Sequence, residues 1–260
     1  RDLDLQSRLT NYDIGVAQTL FEGLTGKLSL GLNHVWRESR TYLLGNRFSL
    51  VPGEPGGISK ARDWRFWQEY TARGENQVLA LRSTFTFGTN NQDEDLAVLG
   101  QQIDSRYRIW LGQAQYARRL LDNGTQLILR FNVQRTNDRL LAMEGISVGG
   151  INTVRGYREN QLVRDQGAVA NVEVDFPLIA DGERRLQLNV SPFYDYGRAR
   201  NQGEPSATVS SLGVAGKLRW YGLGVDLAVA RHQRHSHTAI PESSNWQDKG
   251  VHLQVSYNFF

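Results

Sequence analysis

The segment GGINTVRGYREN, Gly149–Asn160, carries the most specific chemical demand in the chain. Arg155 stands between Val154 and Gly156, with Tyr157 next, between two strongly alternating segments. A guanidinium withdrawn from bulk water needs partners with planar, two-pronged geometry. Carboxylates provide it, and arginine matches them where lysine does not. The chemistry available is that of a tether, a charge pair that pins a loop while made and frees it when broken. Left in solvent, the same arginine is an ordinary loop residue.

Other reactive-looking segments carry less. RHQRHSH, Arg231–His237, holds His232, His235 and His237 but mixes them with arginine and has no supporting carboxylate nearby, so it reads as a wet loop rather than a metal site. Ser236 has no G-x-S-x-G or other nucleophile context. VPGEPGG, Val51–Gly57, has no following Lys-Ser/Thr and reads as a flexible loop, not a phosphate cradle. No catalytic residue, metal or cofactor is expected.

Period two dominates the elements that must position Arg155. Leu127, Leu129, Phe131 and Val133 alternate with Gln126, Ile128, Arg130 and Asn132. Leu186, Leu188, Val190, Tyr194 and Tyr196 alternate with Gln187, Asn189, Ser191 and Asp195. Val251, Leu253, Val255, Tyr257 and Phe259 repeat the pattern near the end, with Phe260 one residue out of phase. Successive strand side chains face opposite ways, so each segment has one apolar and one polar face. Twelve strands are expected, over 1–10, 13–21, 26–37, 62–72, 76–88, 104–118, 124–135, 165–178, 184–196, 207–219, 222–231 and 249–260.

Connections alternate as well. Short turns fall at Phe21–Thr25, Ala72–Asn76, Leu121–Gly124, Ala180–Glu183 and Tyr221–Gly222. Long polar stretches fall between them, at Glu38–Arg62, Gly88–Asp104, Arg135–Asp165, Gly197–Ala207 and Arg231–Lys249. A soluble sandwich has no reason to sort its loops this way. An outer-membrane barrel does, with short periplasmic turns and long outside loops. The expected fold is all-β, a transmembrane antiparallel β-barrel of the outer membrane, with apolar faces on lipid and polar faces on the lumen. Trp220 and Tyr221 at one turn, and Trp36 and Tyr42 beside a long loop, suit membrane interfaces.

Composition agrees. Mean hydropathy is −0.48, and no run of about 18 apolar residues could form a transmembrane helix. Alternating strands keep mean hydropathy low while still crossing a membrane. The net charge of +3 is scattered, which argues against nucleic acid as a partner. Cysteine is absent, so there are no disulfides or thiolate sites. The chain begins at Arg1, which suggests a processed product or part of a longer protein.

Val154-Arg155-Gly156-Tyr157, preceded by Gly149-Gly150, resembles the V-R-G-[FY] loop of two-partner secretion transporters, the TpsB or haemolysin secretion/activation family. GAVANVEVDFPL, Gly167–Leu178, resembles the family strand that carries a glycine, here Gly167, and an inward glutamate, here Glu173. Phe193, Asp195 and Gly197 fit its F-x-D-x-G pattern. The resemblance implies a loop folded back into the lumen, with Arg155 contacting Glu173 and Asp195. It also implies an outer-membrane pore that exports an unfolded exoprotein partner without cofactor or catalysis, in contact with outer-membrane lipid and lipopolysaccharide, as a monomer. A membrane-protein insertase of the same superfamily, a passive porin and a barrel hydrolase remain alternatives. Family barrels have sixteen strands behind a plug helix and two periplasmic domains. Residues 1–260 are therefore expected to be the C-terminal part of the barrel, with the periplasmic domains and first strands missing.

Overall fold

The computed structural model describes residues 5–48, 55–91, 103–183, 185–236 and 246–258. Among these, one antiparallel sheet of twelve strands dominates. Its first part comprises β1 (Leu5–Glu22), β2 (Gly26–Leu43), β4 (Ile58–Arg73), β5 (Gln77–Asn90), β6 (Arg106–Arg119) and β7 (Gln126–Arg135), with the two-residue β3 (Asn46–Arg47) beside β2. It continues through β10 (Gln166–Asp181), β11 (Leu186–Arg200), β12 (Ala207–Trp220), β13 (Leu223–Ser236) and β14 (Val251–Tyr257). Along this sheet, β3 aside, each strand pairs antiparallel with the strands before and after it in the chain, save that β7 pairs with β10 across the loop that holds β8 and β9. A two-residue turn, Tyr221-Gly222, joins β12 to β13, and both residues take positive φ, 44° and 85°. Such a turn matches the twist of the strands it joins.

The alternation sorts the two faces. Tyr12, Ile14, Val16, Trp64, Phe85, Phe131, Leu212, Val214, Leu253 and Val255 are exposed on the outer face. Asp63, Asn171, Glu173, Asp175, Asn189, Ser191 and Asp195 are buried on the inner one. A soluble protein inverts this arrangement. Here the outer side chains match hydrocarbon, and the inner ones satisfy one another. Strands of 14 to 18 residues, such as β1, β2 and β5, exceed the roughly 9–11 that a tilted strand needs to cross.

That excess length explains where the expected boundaries move. The stretches 38–62 and 231–249 were expected as loops, yet β2 runs on to Leu43, β4 begins at Ile58 and β13 continues to Ser236. Beyond the hydrocarbon both faces are wet. Apolar alternation vanishes there, although the hydrogen-bonded ladder continues, for instance Arg37↔Ala61 and Glu38↔Lys60. The segments 1–10 and 13–21, expected as two strands, are one, β1. Its apolar residues change phase between Leu9 and Tyr12 without any break in pairing to β2, since Leu9↔Ser39 and Tyr12↔Trp36 belong to one register. Phe259 and Phe260 lie outside the described residues.

The 30 residues between β7 and β10 form the loop that holds the opening motif. Its two arms pair as β8 (Ile146–Val148) and β9 (Leu162–Arg164). Loop residue Met143 meets Arg37 of β2, and Gly156 meets His252 of β14, both on the inner face. In a flat sheet those strands would lie on the order of 40 Å apart, from a spacing of about 4.8 Å per strand. The sheet must roll around the loop. Among the described residues, β1 and β14 each pair on one side only.

Candidate functional site

The loop tip is seated on β10, β11 and β12. Arg155 donates from Nε to Asp195 Oδ2 at 2.8 Å and from a terminal nitrogen to Asp195 Oδ1 at 2.9 Å, the bidentate geometry. Its other terminal nitrogen donates to Glu173 Oε2 at 2.8 Å. The Arg155 backbone N–H adds a bond to Asp195 at 3.0 Å, and its carbonyl accepts from the Ser211 hydroxyl. The guanidinium lies 3.4 Å from the centroid of the Phe193 ring, so one face is covered by aromatic carbon. Arg155 is 5% exposed, Glu173 1% and Asp195 0%.

The wall is built to receive this charge. Asn171 Nδ2 donates to Asp195 Oδ1 at 2.7 Å, and Lys217 Nζ to Glu173 Oε1 at 2.5 Å. Both carboxylates are thus held by wall residues as well as by Arg155. Asn171 pairs with Asp195 and Glu173 with Phe193 across the β10–β11 ladder, so one pair of strands supplies both carboxylates, the amide and the ring. Gly197 supplies space. A Cβ there would stand 2.3 Å from Val148 Cγ1 and 2.9 Å from Val154 Cγ2. Val148 and Val154 are fully buried with Ile146, Tyr157, Leu162, Val169 and Val209, an apolar patch that seals the tip against the wall. Gly167 has a related role, since a Cβ would meet the Arg198 carbonyl at 2.6 Å.

Gly156 lets the chain turn at the tip with φ of 93°, which a larger residue adopts only under strain. Its N–H donates to His252 Nε2 at 2.9 Å, and its carbonyl accepts from His232. His232 stacks on Tyr157 with ring centroids 4.3 Å apart, and the Tyr157 hydroxyl donates to the Ser210 carbonyl at 3.1 Å. The reading of Arg231–His237 as a wet loop is thus corrected: β13 carries it through Ser236, and His232 faces the loop tip. His237 lies outside the described residues.

Val154, Arg155, Gly156, Tyr157, Gly167, Glu173, Phe193, Asp195 and Gly197 therefore gather in one place. A second cluster across the lumen was not apparent in the sequence. Glu144, on the limb leading to the tip, pairs with Arg37 and Arg65. Arg37 also donates to the Met143 carbonyl at 3.0 Å and to Asp63 Oδ2 at 2.9 Å. Arg65 donates to the same oxygen at 2.8 Å, and the Tyr107 hydroxyl takes the other. Gln134 holds the Glu144 and Asp165 carbonyls at 2.9 Å each, fixing the limb against β7 and β10. The loop thus spans from one wall to the other. A third contact, Arg158 to Asp248, lies toward the connection between β13 and β14.

Burial pushes the Glu144 carboxyl up from 4.5 to about 7; Arg37 and Arg65 oppose the shift and Asp63 adds to it. A value raised in the docked state means that docking takes up a proton, so its stabilisation is full below the free-loop value and is lost as pH rises through about 7. Hydrogen exchange of residues 140–146, corrected for intrinsic rates, should be slower at about pH 5 than at about pH 8. Glu144→Gln should flatten that difference. Equal protection of the native loop at both values would refute the assignment.

Membrane-length antiparallel strands, apolar outside and charged within, around a loop turned into the lumen, define an integral outer-membrane β-barrel of the transporter class. The chain belongs to the haemolysin secretion/activation family: the family model described as haemolysin secretion/activation protein ShlB/FhaC/HecB matches residues 1–220, and the family is one of two-partner secretion transporters, not of enzymes. Among solved structures, CdiB from Escherichia coli is similar with a TM-score of 0.81 at 17% identity, covering 97% of this chain and 46% of that one. CdiB from Acinetobacter baumannii gives 0.67 at 16% identity, covering 90% and 40%. The chain therefore spans less than half the length of either structure. A search of curated proteins gives no match.

Proposed function

We propose that this chain lines the pore through which a full-length two-partner secretion transporter exports one unfolded exoprotein, and that the Arg155 loop is the movable element in that pore. One observation supports this most directly. Arg155 reaches carboxylates on two different wall strands, Glu173 on β10 and Asp195 on β11, while the loop that carries it crosses the lumen. A loop there obstructs passage, and ion pairs, side-chain hydrogen bonds and a small apolar patch hold it rather than the barrel's own ladder, so it can move without unfolding the barrel. An extended substrate then passes inner-face polar groups such as Arg130, Glu173, Lys217 and Asp226. Folding outside the cell favours net export without nucleotide hydrolysis. Val154, Gly156, Tyr157, Gly167, Phe193 and Gly197 shape the seat in which Arg155 docks.

Arg155→Ala and Asp195→Ala in the full-length transporter should each cut exoprotein in the medium at least about tenfold, the scale set by losing a partner of a buried charge pair. The barrel should still reach the outer membrane and shift its gel migration on heating. Undiminished secretion by both variants refutes the loop's role. A porin would instead conduct steadily whatever stands at position 155.

A further inference from the structure

Five arginines of β6, β7 and β11 face away from the lumen, where the loop makes no use of them. Arg106 and Arg108 lie at the start of β6, Arg135 at the end of β7, and Arg198 and Arg200 at the end of β11. All are exposed, and all stand at the long-loop end of their strands. The register puts them in phase with the lipid-facing residues: Phe87↔Arg108, Phe85↔Trp110, Trp110↔Arg135 and Ala168↔Arg198. Along this part of the outer face, apolar side chains therefore give way to arginine over a few residues.

None of the five guanidiniums makes a hydrogen bond or ion pair with another described residue, in contrast to Arg37, Arg65, Arg155 and Arg219. The acid beside them, Asp138, uses Oδ2 to accept the Arg108 backbone N–H at 2.6 Å. Two adjoining clefts of about 830 and 370 Å³ open here, and Arg135, Arg200 and Gln166 line both. The larger is floored by Phe85, Phe87 and Trp110.

We propose that this face is a binding site for a phosphorylated glycolipid of the outer leaflet, the lipid A portion of lipopolysaccharide. Its phosphates lie on the arginines, and its acyl chains lie along Phe85, Phe87 and Trp110. Charge complementarity carries the assignment. Guanidiniums at the edge of hydrocarbon, without a partner among the described residues, need anions with several acceptor oxygens, and phosphate meets the planar fork two-pronged. The occupant must also cover an aromatic floor at lipid depth, which a membrane amphiphile does and a soluble anion does not. Arginines on three strands, β6, β7 and β11, suit a headgroup with two separated phosphates. The site lies on the outer wall beside the strands that cradle Arg155, and its existence does not depend on the export reading.

The test uses the full-length protein in phosphatidylcholine nanodiscs, with bound lipid counted by native mass spectrometry. Bisphosphorylated lipid A should bind the native protein at least about tenfold more tightly than the same lipid stripped of phosphate. The combined variant Arg108→Gln, Arg135→Gln, Arg198→Gln should lose at least about that factor. Inorganic phosphate in millimolar excess should not displace the lipid. Equal binding of phosphorylated and dephosphorylated lipid overturns the proposal with no variant needed. So does unchanged binding by a triple variant that still shifts on heating. Complete displacement by inorganic phosphate would show a soluble-anion site instead.

Discussion

In Asp195→Ala, the free-to-docked ratio of the loop tip is expected to rise by roughly two to four orders of magnitude, because breaking a buried ion pair costs about 3–5 kcal/mol. Asp195 accepts three bonds from Arg155, through the backbone N–H, Nε and a terminal nitrogen, and orders Asn171 as well. Without it, a guanidinium that is nearly inaccessible to solvent keeps one carboxylate, Glu173. Glu173→Gln should be milder, about tenfold, since the bidentate pair survives, an amide oxygen can still accept, and removing one such bond costs about 1.5 kcal/mol. Arg155→Lys should behave almost as Arg155→Ala, because one ammonium cannot reproduce a fork shared between two strands. Val154→Cys provides the readout. The native chain has no cysteine, and Val154 is fully buried, so thiol labelling at 154 reports undocking. Equal labelling rates with and without Asp195 would refute the tether.

The tip and its seat were legible in the sequence because they lie in short, ordered motifs on strands whose alternation fixes facing. Glu173 and Asp195 are in phase with the polar face, and that alone aims them inward. Gly197 is a different case. Its place in the motif could be read, but its reason, room for Val148 and Val154, appears only once the loop is docked. The opposite anchor was not legible at all. Arg37, Asp63, Arg65, Tyr107 and Glu144 are spread over more than 100 residues, and each resembles an ordinary charge or ring on a wet strand. Only rolling the sheet around the loop brings Glu144 to β2 and β4. His232 was hidden for another reason. Strand ends outside the hydrocarbon lose apolar alternation, so a segment that continues the ladder and faces the loop tip resembled solvated loop.

A loop held at both walls should respond cooperatively to the loss of its anchors. Glu144 and Arg155 are eleven residues apart (155 − 144), so while one is docked the other searches a small volume at an effective concentration on the order of millimolar. Glu144→Ala alone should change conductance and secretion little, since Asp63 remains to hold Arg37 and Arg65. Asp63→Ala would test this poorly, because Asp63 also orders the wall through Tyr107. In Arg155→Ala the tip escapes, yet the limb stays pinned at Glu144, and the pore should flicker rather than open. Of the loop's ion pairs described above, the combined variant leaves Arg158 to Asp248, a pair with a partly exposed arginine that solvent screens; the remaining restraints are the hydrogen bonds and the apolar patch at the tip. Single-channel conductance should then rise several-fold above either single variant and stay high, and cells should become sensitive to antibiotics too large for porins. A double variant that conducts like Arg155→Ala alone would mean that Glu144 fixes the limb without restraining the tip, leaving the carboxylates of β10 and β11 as the sole restraint on passage.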